Sequence, residues 1–217
     1  DALMRIHARV KGIEPITGSR YSANSPDAQL WIHITGWHSV LKCYELYGPG
    51  PLTTAEESRF WAESRVAAEL QTCRPADVPA SRDEVRQYFD SVRSRLCTSE
   101  HADRAMHYLL CTPPDRGVRL WAGSRLLAPA AIATLPKWMR RMGNFRQPAA
   151  VDAAVTPIAR AWVKALSTNN FRPMVAVARR IAPETADVLA QHLTAGPPAH
   201  RRTITPAQAR ERLAAHA

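Results

Sequence analysis

The sequence predicts an all-α protein, a single helical domain of about eight helices, and three observations carry that expectation. Ala, Leu, Arg and Glu recur at three- and four-residue spacing along most of the chain. Runs of alternating β-branched residues are absent. Helix-start signals, a Ser or Thr three residues ahead of Glu or just before Pro, recur between these stretches. A chain of 217 residues, 46% hydrophobic, is long enough to bury one substantial core.

The first helix is expected over Asp1 to Lys11, stopped by Gly12, with the loop GIEPITGSRYSANSP after it. A second starts with Ser25 as N-cap and Pro26 at the first helical position, and runs to about Tyr47, where GPGP ends it. The boxes Thr53-Thr54-Ala55-Glu56 and Ser81-Arg82-Asp83-Glu84 open the third and fourth, joined through a Pro-bearing connection at Arg74 to Ala80. Further helices are expected near Ser99–Cys111, Arg119–Thr134 and Ala149–Ser167, with the basic stretch KWMRRMGNFR between the last two. Beyond Ser167 the chain is punctuated by Pro173 and Pro183, because an interior proline removes a hydrogen bond and crowds the preceding turn. Residues 1–195 are expected to form the helical domain and 196–217 a linker and a short, peripheral helix capped at Thr205-Pro206-Ala207-Gln208.

Composition narrows the function classes. No uninterrupted apolar stretch reaches the length of a bilayer-spanning helix, and no charged-then-apolar leader opens the chain. A cytoplasmic or membrane-peripheral location is the expectation. Cys43, Cys73, Cys97 and Cys111 stand far apart without zinc-ligand spacing and read as buried small apolar residues. The net charge of +10 is concentrated in the second half, where residues 118–217 hold 15 Lys/Arg against 4 Asp/Glu. Such a field suits an anionic membrane, an acidic partner or nucleic acid. The cations are dispersed among Ala, Leu and Val with no helix-turn-helix, zinc-finger or aromatic RNA-binding signature, which argues against nucleic acid.

Two histidines, His7 and His33, are the candidates for chemistry, and His38 is set aside. Projected on a helix, His7 falls within the apolar stripe of Leu3, Met4 and Val10, with Lys11 one turn on, so it faces inward either as a core histidine or as a ligand. His33 flanks the face formed by Leu30, Ile34, Trp37, Leu41 and Tyr44, at a buried or pocket-lining position. His38 projects toward Trp31, at the helix boundary.

The run Arg5-Ile6-His7-Ala8-Arg9-Val10-Lys11-Gly12, then Thr17-Gly18, Tyr21-Ser22-Ala23-Asn24, Pro26 and Leu30-Trp31-Ile32-His33-Ile34-Thr35, resembles the signature of the rubber oxygenase (latex-clearing protein) and mpaB-like oxygenase family, in an actinobacterial-type form. The likeness continues through Tyr47-Gly48, Pro51-Leu52-Thr53, Glu57, Trp61, Glu63, Pro79, Pro113-Pro114, and Leu135-Pro136 ahead of Arg140-Arg141 and Gly143, to about residue 145.

The resemblance implies a helical fold around haem b, with the axial iron ligand falling on His7. Arg5 and Lys11 lie near enough along the helix to reach a propionate or polar pocket group, or else stay solvated, and His33, Trp37 and Tyr21 either line the cavity or serve as core packing and loop anchors. The resemblance implies oxygenative cleavage or peroxygenase-like oxidation of an apolar, isoprenoid- or lipid-like substrate. Family members carry further helices, with a basic and hydroxyl-bearing pair, ahead of the motif, which leaves two expectations: an upstream segment that completes the haem pocket, or a chain that starts near the motif as a non-enzymatic remnant. Two other readings compete: a haem-free helical interaction or structural domain, and a basic peripheral module on anionic membrane or nucleic acid.

Overall fold

In a computed structural model of the chain, which describes residues 2–14, 16–195 and 205–215, the all-α expectation holds: eleven α-helices and one two-stranded hairpin make up the regular structure of the described residues. None of these helices is long and apolar enough to cross a membrane. Contacts gather into two compact units. The first contains the chain up to Lys42, residues Pro51–Glu100 and the C-terminal helix; the second contains Cys43–Gly50 and the segment from His101 onward.

The first helix departs from expectation. It spans only Ala2–His7 (α1), and Lys11–Ile13 (β1) pairs antiparallel with Arg20–Ser22 (β2). The local reason lies in the tip, where the Glu14 carboxylate accepts from the Ile16 and Thr17 amides and Gly18 takes φ +70°. At Gly12 in β1 a Cβ would sit 3.1 Å from the Tyr21 ring across the ladder, so a larger residue would push that ring aside. Lys11 is therefore a strand residue, not the next turn of the His7 face.

The next helices follow the sequence closely. Pro26–Tyr47 (α2) starts where Ser25 accepts from the Ala28 amide. Thr54–Ala68 (α3) carries the full capping box of Thr53 and Glu56, and Arg82–Val92 (α4) is capped by Ser81 through the Glu84 amide. Ile34, Leu41, Trp61 and Val85 form the core of this unit, with Trp37, Phe60, Tyr88 and Phe89 packed on it. Trp61, 2% exposed, donates its indole N–H to Glu57, whose other oxygen takes the Arg82 guanidinium at 2.7 Å and so ties α3 to α4. The short helix Pro206–Ala214 (α11) belongs to the same unit: its Ala207 amide donates to the Glu69 carboxylate at 2.6 Å, and Arg210 donates to the Glu69 carbonyl at 2.8 Å. The expected linker over 196–204 lies outside the described residues.

The second unit contains Glu100–Leu110 (α5), Val118–Thr134 (α6), Lys137–Met142 (α7), Ala149–Leu166 (α8), Thr168–Ile181 (α9) and Pro183–Ala195 (α10). The helix count exceeds eight because the basic stretch and the proline-marked region are themselves helical. Pro183 opens α10 instead of breaking it. Pro173 comes just after a left-handed turn at Asn169, Asn170 and Phe171, so it occupies the first turn of regular α9, where its missing N–H has no helical partner to lose.

Arg140 organises this unit. Its guanidinium donates to the Ala133 and Leu135 carbonyls at the C-terminal end of α6, at 2.9 and 3.0 Å, and to Asp152 on α8 at 2.6 Å. Gln147 donates to the other Asp152 oxygen at 2.6 Å, and the buried Tyr47 hydroxyl donates to the Ala130 carbonyl at 2.7 Å. Burial raises the Asp152 carboxyl, but the Gln147 and Arg140 contacts outweigh it and hold the group below its usual range. Gly143 is required beside this knot, since a Cβ would stand 2.7 Å from the Phe145 ring.

The cysteine expectation is corrected in part. Cys73 is buried and Cys111 half-buried, but Cys43 and Cys97 are exposed; all four are free. Cys43 lies outside the α2 stripe that reaches the core through Ile34 and Leu41.

Candidate functional site

His7 and His33 lie where the end of α1, the start of α2 and the end of α3 come together, while Arg5, Lys11 and Tyr21 stand exposed. His7 closes α1 and is half-buried, while Met4, Arg5 and Ile6 before it are exposed. Its Nδ1 lies 3.2 Å from Nε2 of Gln29, a buried residue of the first α2 turns. The same Gln29 nitrogen donates to the Ala23 carbonyl, which fixes the amide orientation. Gln29 therefore donates to Nδ1, and the neutral ring carries its proton on Nε2, which has no partner among the described residues.

Around this contact the backbone is tied from several sides. Ala23 donates to the Val10 carbonyl at 2.9 Å, Asn24 donates to the Met4 carbonyl at 2.9 Å, and Thr72 after α3 donates to the Asn24 carbonyl at 2.9 Å. Two amide oxygens in this region, Asn24 Oδ1 and Gln71 Oε1, are buried without a donor among the described residues. Such acceptors suit a water or hydroxyl and repel a carboxylate.

His33 lies one helical turn beyond Gln29 and is 3% exposed. Its Nε2–H donates to the Ser64 carbonyl at 2.9 Å, with the Ser64 hydroxyl at 3.1 Å, and its Nδ1 accepts from Gln71 at 3.0 Å. Burial lowers its pKa below the ordinary value, against the opposing Ser64 bond. Both ring nitrogens are thus committed inside the core. Trp37 packs beside it, 5.9 Å between ring centroids, and meets Phe60 edge-on at 5.0 Å. Tyr21 covers Gly12 on the hairpin, away from this aromatic group. His38 is half-buried and meets Phe89 edge-on at 5.2 Å.

Arg5 and Lys11 are exposed, without an ion-pair partner among the described residues. Met4, Ile6, Val10, Ile13 and Ile16 are exposed as well, so the His7 end of the unit presents apolar surface and cationic groups together. Among the described residues no three His, Cys, Asp or Glu side chains converge on a metal-sized site. The donor set suited to a metal is one imidazole.

Gln29 is the neighbour of His7 that the sequence pattern did not single out. Its signal was a polar side chain on the inward face of an apolar helix, four residues before His33, where only a satisfied amide is tolerated.

A family model described as the catalytic domain of the ER-bound oxygenase mpaB/B' and rubber oxygenase matches residues 1–168. No curated protein and no solved structure matches the chain.

Proposed function

The chain belongs to the mpaB and rubber oxygenase catalytic-domain family, and from that premise we propose that it is a haem-b-dependent oxygenase acting on an apolar, isoprenoid- or lipid-like substrate, with His7 as the iron ligand. The observation that carries this reading is the His7 imidazole itself: half-buried, anchored at Nδ1, and open at Nε2 beside exposed apolar side chains.

These residues fit the cofactor in kind. One imidazole nitrogen is what a haem iron takes from a protein on its proximal side, and His7 offers one from a half-buried position at the end of α1. Arg5 and Lys11 are the cations available to propionates; the unpartnered oxygens of Asn24 and Gln71 are not, because they would repel a carboxylate. Haem b, when bound, supplies the dioxygen chemistry. To hold the iron through Nε2, His7 would take its other neutral tautomer, with the proton on Nδ1, and Gln29 would accept from Nδ1–H by turning its amide oxygen to the ring in exchange for its present bond to the Ala23 carbonyl. His33 serves as fixed wall: with both nitrogens engaged, it keeps Trp37 in place and is not a ligand.

A second reading, a haem-free interaction domain, is favoured by one observation: the donor placed on Nδ1 leaves the proton on the nitrogen that would ligate. The test of the oxygenase reading is oxygen uptake by haem-loaded protein given a short linear isoprenoid. Uptake above that of free haem, with carbonyl-ended products, is the expected result. Uptake no faster than free haem would overturn the activity.

A further inference from the structure

The second unit carries an apolar surface that the oxygenase reading does not use. Three large hydrophobic side chains of α8 are left in water: Val151 is 38% exposed, Ile158 63% and Trp162 54%. At about 100° per residue all three project within about 40° of one another, so they lie in one line along the helix. Exposed Ala154 and Ala161 flank that line on one edge, and half-buried Val155 lies on the other. No charged residue stands in this strip. Lys164 projects from another side, and Asp152 and Arg160 are engaged elsewhere, with Arg140 and with the Leu46 carbonyl. Pro157, inside the helix, also points away from the strip.

We propose that this strip of α8 docks a second copy of the chain, α8 against α8, antiparallel about a two-fold axis at Ile158. Two observations select this occupant. The strip is symmetric about Ile158: Ala154 stands four residues before it and Ala161 three after on one edge, and Val155 three before and Trp162 four after on the other. A two-fold therefore brings Ala154 to Ala161 of the other copy, Val155 to Trp162, and Ile158 to itself, so each apolar contact is made twice. The alanine edge lets the two backbones approach, while Val155 and Trp162 fill the wider side. The second observation is charge. With +10 on each chain, copies repel except through a surface that brings no cation to the contact, and this strip brings none. An anionic bilayer, by contrast, is held by cations beside the apolar side chains, which the strip lacks. The size of the contact sets its strength. With 18 residues, α8 is about 27 Å long, and one helix face of that length falls short of the about 800 Å² per partner of a permanent dimer. The association is therefore weak and concentration-dependent.

The experiment is sedimentation equilibrium of the full chain from about 5 to about 500 μM, with Ile158→Asp, Trp162→Ala and Ala153→Asp beside the parent. Ala153 is exposed on the opposite side of α8 and controls for the added charge. A monomer–dimer equilibrium is expected in the parent and in Ala153→Asp. It is weakened about tenfold or more in Trp162→Ala and abolished in Ile158→Asp, where the two-fold sets two carboxylates against each other. Circular dichroism checks that the variants remain folded, and Trp162→Ala decides where Ile158→Asp does not fold. A parent that stays monomeric through the range overturns the proposal. So does a dimer that Trp162→Ala leaves unchanged, or one that Ala153→Asp weakens as much as Ile158→Asp does. Binding of a monomeric parent to phosphatidylcholine vesicles, lost in Trp162→Ala, would assign the strip to a bilayer and likewise overturns it.

Discussion

Replacing Arg140 by Met tests how the second unit is held together. The guanidinium side chain is 14% exposed and makes three bonds at once: two to carbonyls ending α6 and one to Asp152. Met fills much of the volume but donates nothing. It leaves the Ala133 and Leu135 carbonyls without their cation and the part-buried Asp152 carboxylate with Gln147 alone. Removing one partner of a buried, hydrogen-bonded pair costs about 3–5 kcal/mol, mostly because the surviving charge is left unpaired. At this chain length that is a fall of roughly 6–20 °C in Tm. Adding Asp152→Leu should recover part of the loss, since no orphaned carboxylate then remains. Urea and thermal unfolding followed by circular dichroism measure all three proteins. A single-variant loss below about 1 kcal/mol, the level of an exposed ion pair, would refute the reasoning.

His33 makes folding sensitive to mild acid. Its folded pKa is held below the ordinary 6.5 by burial, so its contribution is complete above that value and is lost as pH falls below it toward the folded pKa, with a slope of at most about 1.4 kcal/mol per pH unit. Urea midpoints from pH 8 to 5 should fall for the parent and flatten in His33→Gln; parallel profiles would contradict the assignment. Gln29→Glu places an acceptor against His7 Nδ1, so nitrogen-15 NMR of the haem-free variant should show the ring proton moved from Nε2 to Nδ1. An unchanged tautomer would separate the two residues. Gly143→Ala forces a methyl within 2.7 Å of the Phe145 ring and should cost about 1–3 kcal/mol by thermal unfolding.

How much of this was legible in the sequence varies with the range of the interaction. Local chemistry read true: Ser25, Thr53 and Ser81 cap the helices they mark, and Thr205 and Gln208 exchange bonds at the last one. The helix expected through Lys11 failed because the Tyr21 ring on Gly12 and the Glu14 turn are decided by a partner strand, which no helical projection contains. The same blindness hid the division of labour among the motif residues. His7 meets Gln29 across 22 positions, and a projection of α1 alone cannot supply that neighbour. Arg140, equally part of the resemblance, turns out to tie α6 to α8, and Gly143 leaves room for the Phe145 ring. His33 looked like a pocket residue from its flank position, yet Ser64 and Gln71 on and after α3 engage both its nitrogens.

The most direct test of the account is a haem titration of the full chain beside a His7→Ala variant, followed in the Soret region. A saturable Soret band with one haem per chain is expected, lost or shifted to a non-histidine form in the variant while the circular dichroism of both stays the same. A folded parent that develops no Soret band, or a variant whose band matches the parent's, would contradict ligation by His7.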